Sequence, residues 1–327
     1  MGITIKDVAK KSGYSVTTVS YVLNNTHSIP QKTKDKIYKA AKELNYVPSA
    51  YASSLKRRKT HNIGVFVADF DGPVHQTIIS GIAKGINAEN SPYKLFVTVA
   101  KSSMNLIKSG VVDLAIIMDS RVSSDEVKEI SKIVPVITFD MKVEGKNIYY
   151  TDITNSEGVG EVVKKLYNSG SRRIAYLLGP KDSYHNEMRF LGYKNALNEL
   201  NIEYDENIVF SSGLFIEEAG YEVISNYLDN HKLDFDSLVC ANDELAIGAL
   251  QAFEKHSINC PKDVKVTGFD NVPIGKYIKP SLSTISVDWQ EYGKKISQFA
   301  IDIINGKTEE NETLVLDTKF IERESSR

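Results

Sequence analysis

The stretch T-I-K-D-V-A-K-K-S-G-Y-S-V-T-T-V-S-Y-V-L-N-N, from Thr4 to Asn25, decides how the chain begins. Ile5, Val8 and Ala9 recur at i, i+3 and i+4, the spacing that lines one side of a helix with apolar groups. Thr4 stands at the N-cap with Asp7 three positions on, a weaker form of the capping box. Gly13 supplies a turn that asks for positive φ. Ser15 caps a second helix striped by Val19, Val22 and Leu23, which Asn24 and Asn25 end. A third helix follows Pro30, with Ile37, Ala40, Ala41 and Leu44 facing inward, until Asn45 and Pro48 close it. Two helices joined by a tight glycine turn form a helix-turn-helix pattern. In that motif the second helix lies in the major groove with its N-terminal residues on base edges. Small three-helix bundles share the pattern, so charge must help decide.

Residues 1–60 carry 12 Lys/Arg and 3 Asp/Glu, and the other 267 carry 28 and 39. A basic head of +9 on an acidic body of −11 points the head at a polyanion, against the bland reading of a solvated Lys-rich surface. At 327 residues, 42% hydrophobic and 25% charged, the chain suits two or three globular domains and excludes disordered, collagen-like and disulfide-scaffold classes. Apolar runs such as Ile63 to Ala68 fall far short of the ~20 residues that span a bilayer. Met1 to Asp7 has no signal-peptide core. Cys240 and Cys260 make neither a zinc site nor a disulfide framework. The expectation is a cytoplasmic protein with no membrane partner, no metal and no cofactor.

After His61 apolar runs alternate with amphipathic segments. Strands are expected at Ile63–Ala68, Leu95–Ala100, Leu114–Met118, Val136–Phe139, Ile174–Leu178, Leu238–Ala241 and Val264–Phe269. Helices are expected at Gln76–Ala88, Asp125–Lys132, Ser156–Asn168, Glu187–Leu200, Ile216–Leu228 and Glu244–His256. Near-continuous apolar strands between helices indicate parallel sheets covered on both faces, and about 265 residues suit two α/β lobes.

The segment Thr4–Asn25, together with Y-V-P-S-A-Y-A-S-S-L at Tyr46–Leu55, closely resembles the DNA-binding head and hinge helix of the lactose/galactose-repressor (LacI/GalR) family of bacterial regulators. Nearly the whole chain shares the resemblance. It implies an all-α helix-turn-helix head with a hinge helix at 49–56 in residues 1–60, then a two-lobed α/β body like a periplasmic binding protein in residues 61–327. Lobe one would take about 61–156 and 286–318, and lobe two about 157–285 and 319–327, with the last crossings near Ser283–Val287 and Leu314–Thr318. The implied DNA-binding residues are Thr4, Ser15, Val16, Thr17, Thr18, Ser20, Tyr21, Asn24, Ala52 and Leu55. Relatives usually carry Arg where Tyr21 stands. Leu55 would wedge into the minor groove while Lys56–Lys59 hold phosphates; the plainer reading is a solvated linker with one stray leucine. Only Lys101–Gly110 is available where relatives carry a longer helix, shorter by roughly ten residues, and that region contributes to the family's dimer interface.

Enzyme motifs are thin. Gly306-Lys307-Thr308 lacks the leading glycine of a phosphate loop, since Ile301 stands there. His75 and His185 are candidates to face a crevice, although a lone histidine is more often structural or exposed. The resemblance places effector-binding side chains at Arg189, Asn242 in C-A-N-D-E-L-A-I-G, Asp270 in T-G-F-D-N, and the rings of Phe215 and Trp289. Arg, Asp and Asn suit vicinal hydroxyls, and rings suit the apolar face of a sugar. Taken singly, Asn242 and Asp270 also read as caps, Trp289 as core and Arg189 as a surface ion pair. Asp71 and His75 replace the family's usual N-P-F-F type loop and make that wall more polar. The expectation is a homodimeric regulator, a repressor by default. It would bind a pseudo-palindromic double-stranded DNA operator under control of a small-molecule effector such as a sugar. The alternative is control by a corepressor or a partner protein. An extracytoplasmic sugar-binding protein and an α/β enzyme are the rivals from other classes.

Overall fold

The computed structural model describes residues 3–24, 27–46, 59–87, 91–310 and 312–327. The chain divides into two units, 1–60 and 61–327. In the head, α1 (Ile5–Ser12), α2 (Val16–Leu23) and α3 (Gln31–Glu43) bury Val8, Val19, Val22, Ile37, Ala40 and Ala41 against each other. The apolar stripes read from sequence are thus the head's core. Gly13 takes φ +76° at the end of α1 and donates its N–H to the Ala9 carbonyl, a left-handed stop that costs glycine least. Thr4 N and Oγ1 both donate to the Asp7 carboxylate, at 2.8 and 2.7 Å, and these bonds hold the Asp7 carboxyl below its ordinary value. Tyr38 on α3 ties α2 through its hydroxyl, which donates to the Val22 carbonyl at 3.1 Å. The hinge helix expected over 49–56, with Ala52 and Leu55, lies outside the described residues.

The body holds two six-stranded sheets. The first contains β1 (Asn62–Val67), β2 (Lys94–Val99), β3 (Leu114–Met118), β4 (Val136–Thr138), β5 (Ile148–Ile153) and β11 (Thr313–Leu316), in the order β11-β5-β4-β3-β1-β2, all parallel. The second contains β6 (Ile174–Leu178), β7 (Val209–Ser211), β8 (Ser237–Cys240), β9 (Lys265–Asp270), β10 (Ser283–Ser286) and β12 (Lys319–Ile321). Its order is β12-β10-β9-β8-β6-β7, parallel except for β12. Their interiors are Val, Ile and Leu on both faces because helices cover both sides.

Three chain crossings join the sheets, between β5 and β6, between β10 and β11, and between β11 and β12. Two of them are stitched together, since Thr318 N donates to Thr154 Oγ1 at 2.8 Å and Thr318 Oγ1 donates to the Thr154 carbonyl at 3.0 Å.

The helices are α4 (Pro73–Ile86), α5 (Ala100–Lys108), α6 (Ser124–Ser131), α7 (Asn155–Asn168), α8 (Tyr184–Glu199), α9 (Glu217–Asn230), α10 (Asp243–Lys255) and α11 (Trp289–Ile304). Helix α11 comes late in the chain yet packs on α4 of the first sheet. A Cβ added at Gly81 would meet the Gln290 carbonyl oxygen at 2.3 Å, and one at Gly293 would meet the Ile78 carbonyl oxygen at 2.2 Å. Only glycine permits that approach. The segment after β2 carries just α5, nine residues long, as the short stretch 101–110 led one to expect. Among the described residues no helix is long and apolar enough to cross a membrane.

Candidate functional site

In both sheets the strand order reverses beside the first strand, β1 in one and β6 in the other. Open α/β sheets bind ligands outside the carboxyl ends of their strands at such points. Here the carboxyl ends of both sheets meet. Asp140 follows β4, Arg189 lies on the helix after β6, Asn242 follows β8 and Asp270 ends β9.

Arg189 is buried. Its Nε donates to Asn155 Oδ1 at 3.0 Å, Nη1 to the Ala241 carbonyl at 2.6 Å and Nη2 to Asp270 Oδ1 at 3.3 Å, and the guanidinium lies 3.6 Å from the centre of the Phe269 ring. This arginine is not a surface ion pair; it is the fixed floor of the crevice. Burial pushes the Asp270 carboxyl up to about 6, and the Arg189 guanidinium pulls the other way. The Trp289 indole N–H donates to the Asp270 carbonyl at 3.1 Å, so the tryptophan opening α11 touches the end of β9 in the opposite sheet.

Of the seven effector-site residues expected from sequence, Arg189, Asp270 and Trp289 come together in this way. Asn242 lies beside them, but its amide is already used: Oδ1 accepts from Leu245 N at 3.0 Å as the N-cap of α10, and Nδ2 donates to the Phe215 carbonyl at 3.2 Å. The Phe215 ring rests against Gly179. His75, in the first turn of α4, is near enough to Asp140, Asp270 and His185 to influence their charges. Asp71 sits at the exposed rim, where its N–H donates to Asp69 Oδ1 at 3.0 Å.

Two central residues escaped the sequence reading. Asn155 opens α7 and is 2% exposed; besides accepting from Arg189, its Nδ2 lies 3.0 Å from His185 Nδ1. Asp140 stands 3.7 Å from His185 Nε2, and burial pushes its carboxyl up to about 6. A lone Asn at a helix start reads as a cap, and a lone Asp after a strand reads as a turn. Nothing local distinguished them. Tyr184, next to His185, donates its hydroxyl to Asp152 Oδ2 on β5 at 3.0 Å, a second link between the sheets.

The other candidate surface is α2. Ser15 Oγ accepts from Thr18 N at 3.1 Å and lies 2.8 Å from Thr18 Oγ1, capping the helix. Val16 and Thr17 are exposed at its N-terminal end. Asn24 Nδ2 donates to the Ser20 carbonyl at 2.8 Å. The Tyr21 ring stacks on His27 with centroids 3.9 Å apart.

Known proteins resemble both units of the chain. The family model described as bacterial regulatory proteins, lacI family, matches residues 4–49, and the periplasmic binding protein-like domain matches residues 163–326. The HTH-type transcriptional regulator RegA of Clostridium saccharobutylicum is 30% identical over 334 residues, covering 100% of both chains. The HTH-type transcriptional repressor PurR of Photorhabdus laumondii is 31% identical over 336 residues, covering 98% of this chain and 96% of that one. The solved complex of the transcriptional regulator CelR with cellobiose superposes with a TM-score of 0.73 at 26% identity, covering 99% of each chain. A helix-turn-helix head and a two-sheet body over the whole length, with these relatives, leave one conclusion: the chain belongs to the LacI family and is a DNA-binding transcriptional regulator.

Proposed function

We propose that this regulator is a cytoplasmic homodimeric repressor. In this reading its heads hold a pseudo-palindromic operator, and a small polyhydroxyl effector, a sugar or sugar derivative, sets its DNA affinity. The observation that carries the effector reading is the Arg189–Asp270 pair, set on the Phe269 ring and linked through Asn155 to His185, where polar groups of both sheets converge. Bidentate donors and carboxylates beside aromatic rings suit hydroxyl pairs on an apolar ring. The complex of CelR with cellobiose supports this class of ligand. Arg189, Asp270, Asn242, Phe215, Trp289, His75 and Asp71 are the proposed effector residues. The exposed N-terminal end of α2, with Ser15, Val16, Thr17, Thr18, Ser20, Tyr21 and Asn24, is the proposed base-reading element, Thr4 helps to seat it, and Ala52 and Leu55 are assigned to the minor groove. The lobes are proposed as 61–156 with 286–318, and 157–285 with 319–327.

A ligand shifts the two-lobe equilibrium only through its differential affinity for the two arrangements. The sign of the response therefore separates induction by effector from action as a corepressor. Operator affinity and Trp289 emission are measured in the same samples during a sugar titration. Trp289 is the sole tryptophan and bonds to Asp270, so its emission reports the crevice directly. Asp270→Asn is expected to keep operator affinity without ligand and to remove the sugar response. Loss of operator binding without ligand makes Asp270 structural. No response to any sugar, while a partner protein changes affinity, favours control by that partner.

A further inference from the structure

We propose that Arg323, on the last segment of the chain, is a positioning residue for the effector site: it holds the turn that carries Asp270 by gripping the next residue, Asn271. The proposal rests on reading Asp270 as an effector residue. Asp270 ends β9 with φ +105°, and Asn271 follows with φ +55°. Asparagine enters the left-handed region at modest cost, whereas an aspartate at φ +105° persists only where its neighbours hold it. The atoms of Asp270 itself are engaged toward the crevice, its carboxylate by Arg189 and its carbonyl by the Trp289 indole N–H. The restraint on the turn therefore falls on the residue after it.

Arg323 supplies that restraint. Its Nη2 donates to Asn271 Oδ1 at 2.7 Å, and its Nη1 donates to the Leu282 carbonyl at 2.6 Å. Both acceptors are uncharged oxygens, so the contact is a two-pronged staple and not an ion pair. It pins both ends of the segment 271–282 that leads from β9 to β10. A lysine, a point donor on a flexible stem, has no fork to span two such acceptors. Arginine has only donors, which fixes the Asn271 amide: Oδ1 faces the guanidinium, and Nδ2 donates to Ser286 Oγ on β10 at 3.0 Å.

The staple stands on a rigid base. Arg323 N donates to Ser283 Oγ at 2.8 Å, Ser283 N donates to Ser325 Oγ at 2.8 Å, and Ser325 Oγ donates to the Val266 carbonyl at 2.6 Å. Ser325 and Ser326 are buried. Thr318, in the third crossing, lies directly before β12, and Arg323 lies just beyond it. The strand between them links the stitched crossings to Asn271, so the tail after the last crossing sets where the Asp270 carboxylate stands.

The bond from Trp289, the sole tryptophan, to the Asp270 carbonyl makes its emission a reporter of the turn with no ligand present. Full-length Arg323→Gln, Asn271→Gly, their double variant and Asn271→Asp are compared with wild type by emission, acrylamide quenching and circular dichroism. Glycine keeps the left-handed backbone and removes Oδ1, while aspartate keeps an acceptor for Arg323. Arg323→Gln and Asn271→Gly are each expected to move the emission to longer wavelength and open the indole to quencher, with circular dichroism unchanged. The double variant is expected to do no more than either alone, and Asn271→Asp to match wild type. Wild-type emission in Arg323→Gln, or effects that add in the double variant, overturns the staple. Where Arg323→Gln does not fold, Asn271→Gly against Asn271→Asp decides from the other end of the same bond. Emission is then titrated with glucose, ribose and cellobiose. A sugar that binds wild type is expected to bind Arg323→Gln at least ~10-fold more weakly and Asn271→Asp equally well. Undiminished affinity in Arg323→Gln overturns its role at the effector site. Silence of the wild type toward every sugar counts against the effector reading, while the emission without ligand still decides on the staple alone.

Discussion

Asp270 takes φ +105° and Asn271 φ +55°, two successive non-glycine residues in the left-handed half of the map. Such positions cost on the order of 1–3 kcal/mol each and persist where their surroundings hold them. Here Asp243 Oδ2 accepts from Val272 N at 2.8 Å, Thr284 Oγ1 accepts from Asn271 N at 3.2 Å, and Arg323 Nη2 donates to Asn271 Oδ1 at 2.7 Å. The Asp270 carboxylate is thus aimed by a strained turn tied down from three elements. The residues that face the crevice carry a stability cost of their own. Asp140 and Asp270 are both pushed up to about 6 by burial. A folded chain with raised carboxyl pKa values holds protons more tightly than the unfolded chain. Stability from this source is full below the ordinary carboxylate value and is lost as pH climbs from about 4 to about 6. Asp140→Asn removes one such charge, so the ligand-free protein is expected to gain on the order of 2 kcal/mol at pH 8 and about half of that at pH 5. Thermal unfolding at the two pH values checks it; a fall in stability at pH 8 would show Asp140 to be structural. Arg189 behaves differently, since its removal leaves Asp270 buried and unpaired, typically a loss of ~3–5 kcal/mol. The resemblance pointed to Arg189 and Asp270 from sequence. The cap role of Asn242 was legible too, since its partner Leu245 N lies three residues on, but the bonds of Asn242 Nδ2 to Phe215 and of Trp289 to Asp270 were not, because partners from distant segments leave no local signature.

Helix α2 is the proposed base-reading element. Its Tyr21 ring is stacked on His27 and has a single hydroxyl, so it cannot make the two-pronged contact that an arginine makes to guanine. Tyr21→Arg is expected to add a guanine preference at one base pair of each half-site, about 1–3 kcal/mol of discrimination. Selection of binding sites from random DNA by both proteins decides it, and identical consensus sites would remove Tyr21 from the reading face. Elements with strong local signals were legible: the apolar stripes and Ser15 cap located the head helices, and β3 and β6 match the apolar runs residue for residue. Besides β10 and β11, which the sequence placed only as crossings, three strands were missed. β5, I-Y-Y-T-D-I, breaks its apolar run with polar residues, and β7 and β12 are three-residue edge strands with partly exposed side chains. Sheet pairing creates such strands, and their own sequence does little to announce them.

At the scale of the whole molecule, a pseudo-palindromic operator requires two heads placed by a two-fold dimer. The body offers an apolar surface for it. Tyr277 is 78% exposed and Ile274 55%, close in the chain to Ile278 and Pro280, which with Ile247 and Leu250 line a groove beside α10. Replacing both Ile274 and Tyr277 with Asp is expected to give monomers in sedimentation and to weaken binding to a palindrome at least ~10-fold, with single half-site binding unchanged. A dimer that survives moves the interface elsewhere. The three crossings carry one more consequence, which concerns synthesis. Neither sheet is built from one continuous stretch, because β11 completes the first and β12 the second, both within the last 15 residues. Ser325 and Ser326, beyond β12, are buried as well. On the ribosome, the head emerges whole while both sheets still lack an edge strand. A message cut short before codon 313 would make a finished head on a body whose two sheets each lack an edge strand, a DNA-reading unit without the partner that seats two heads on one operator.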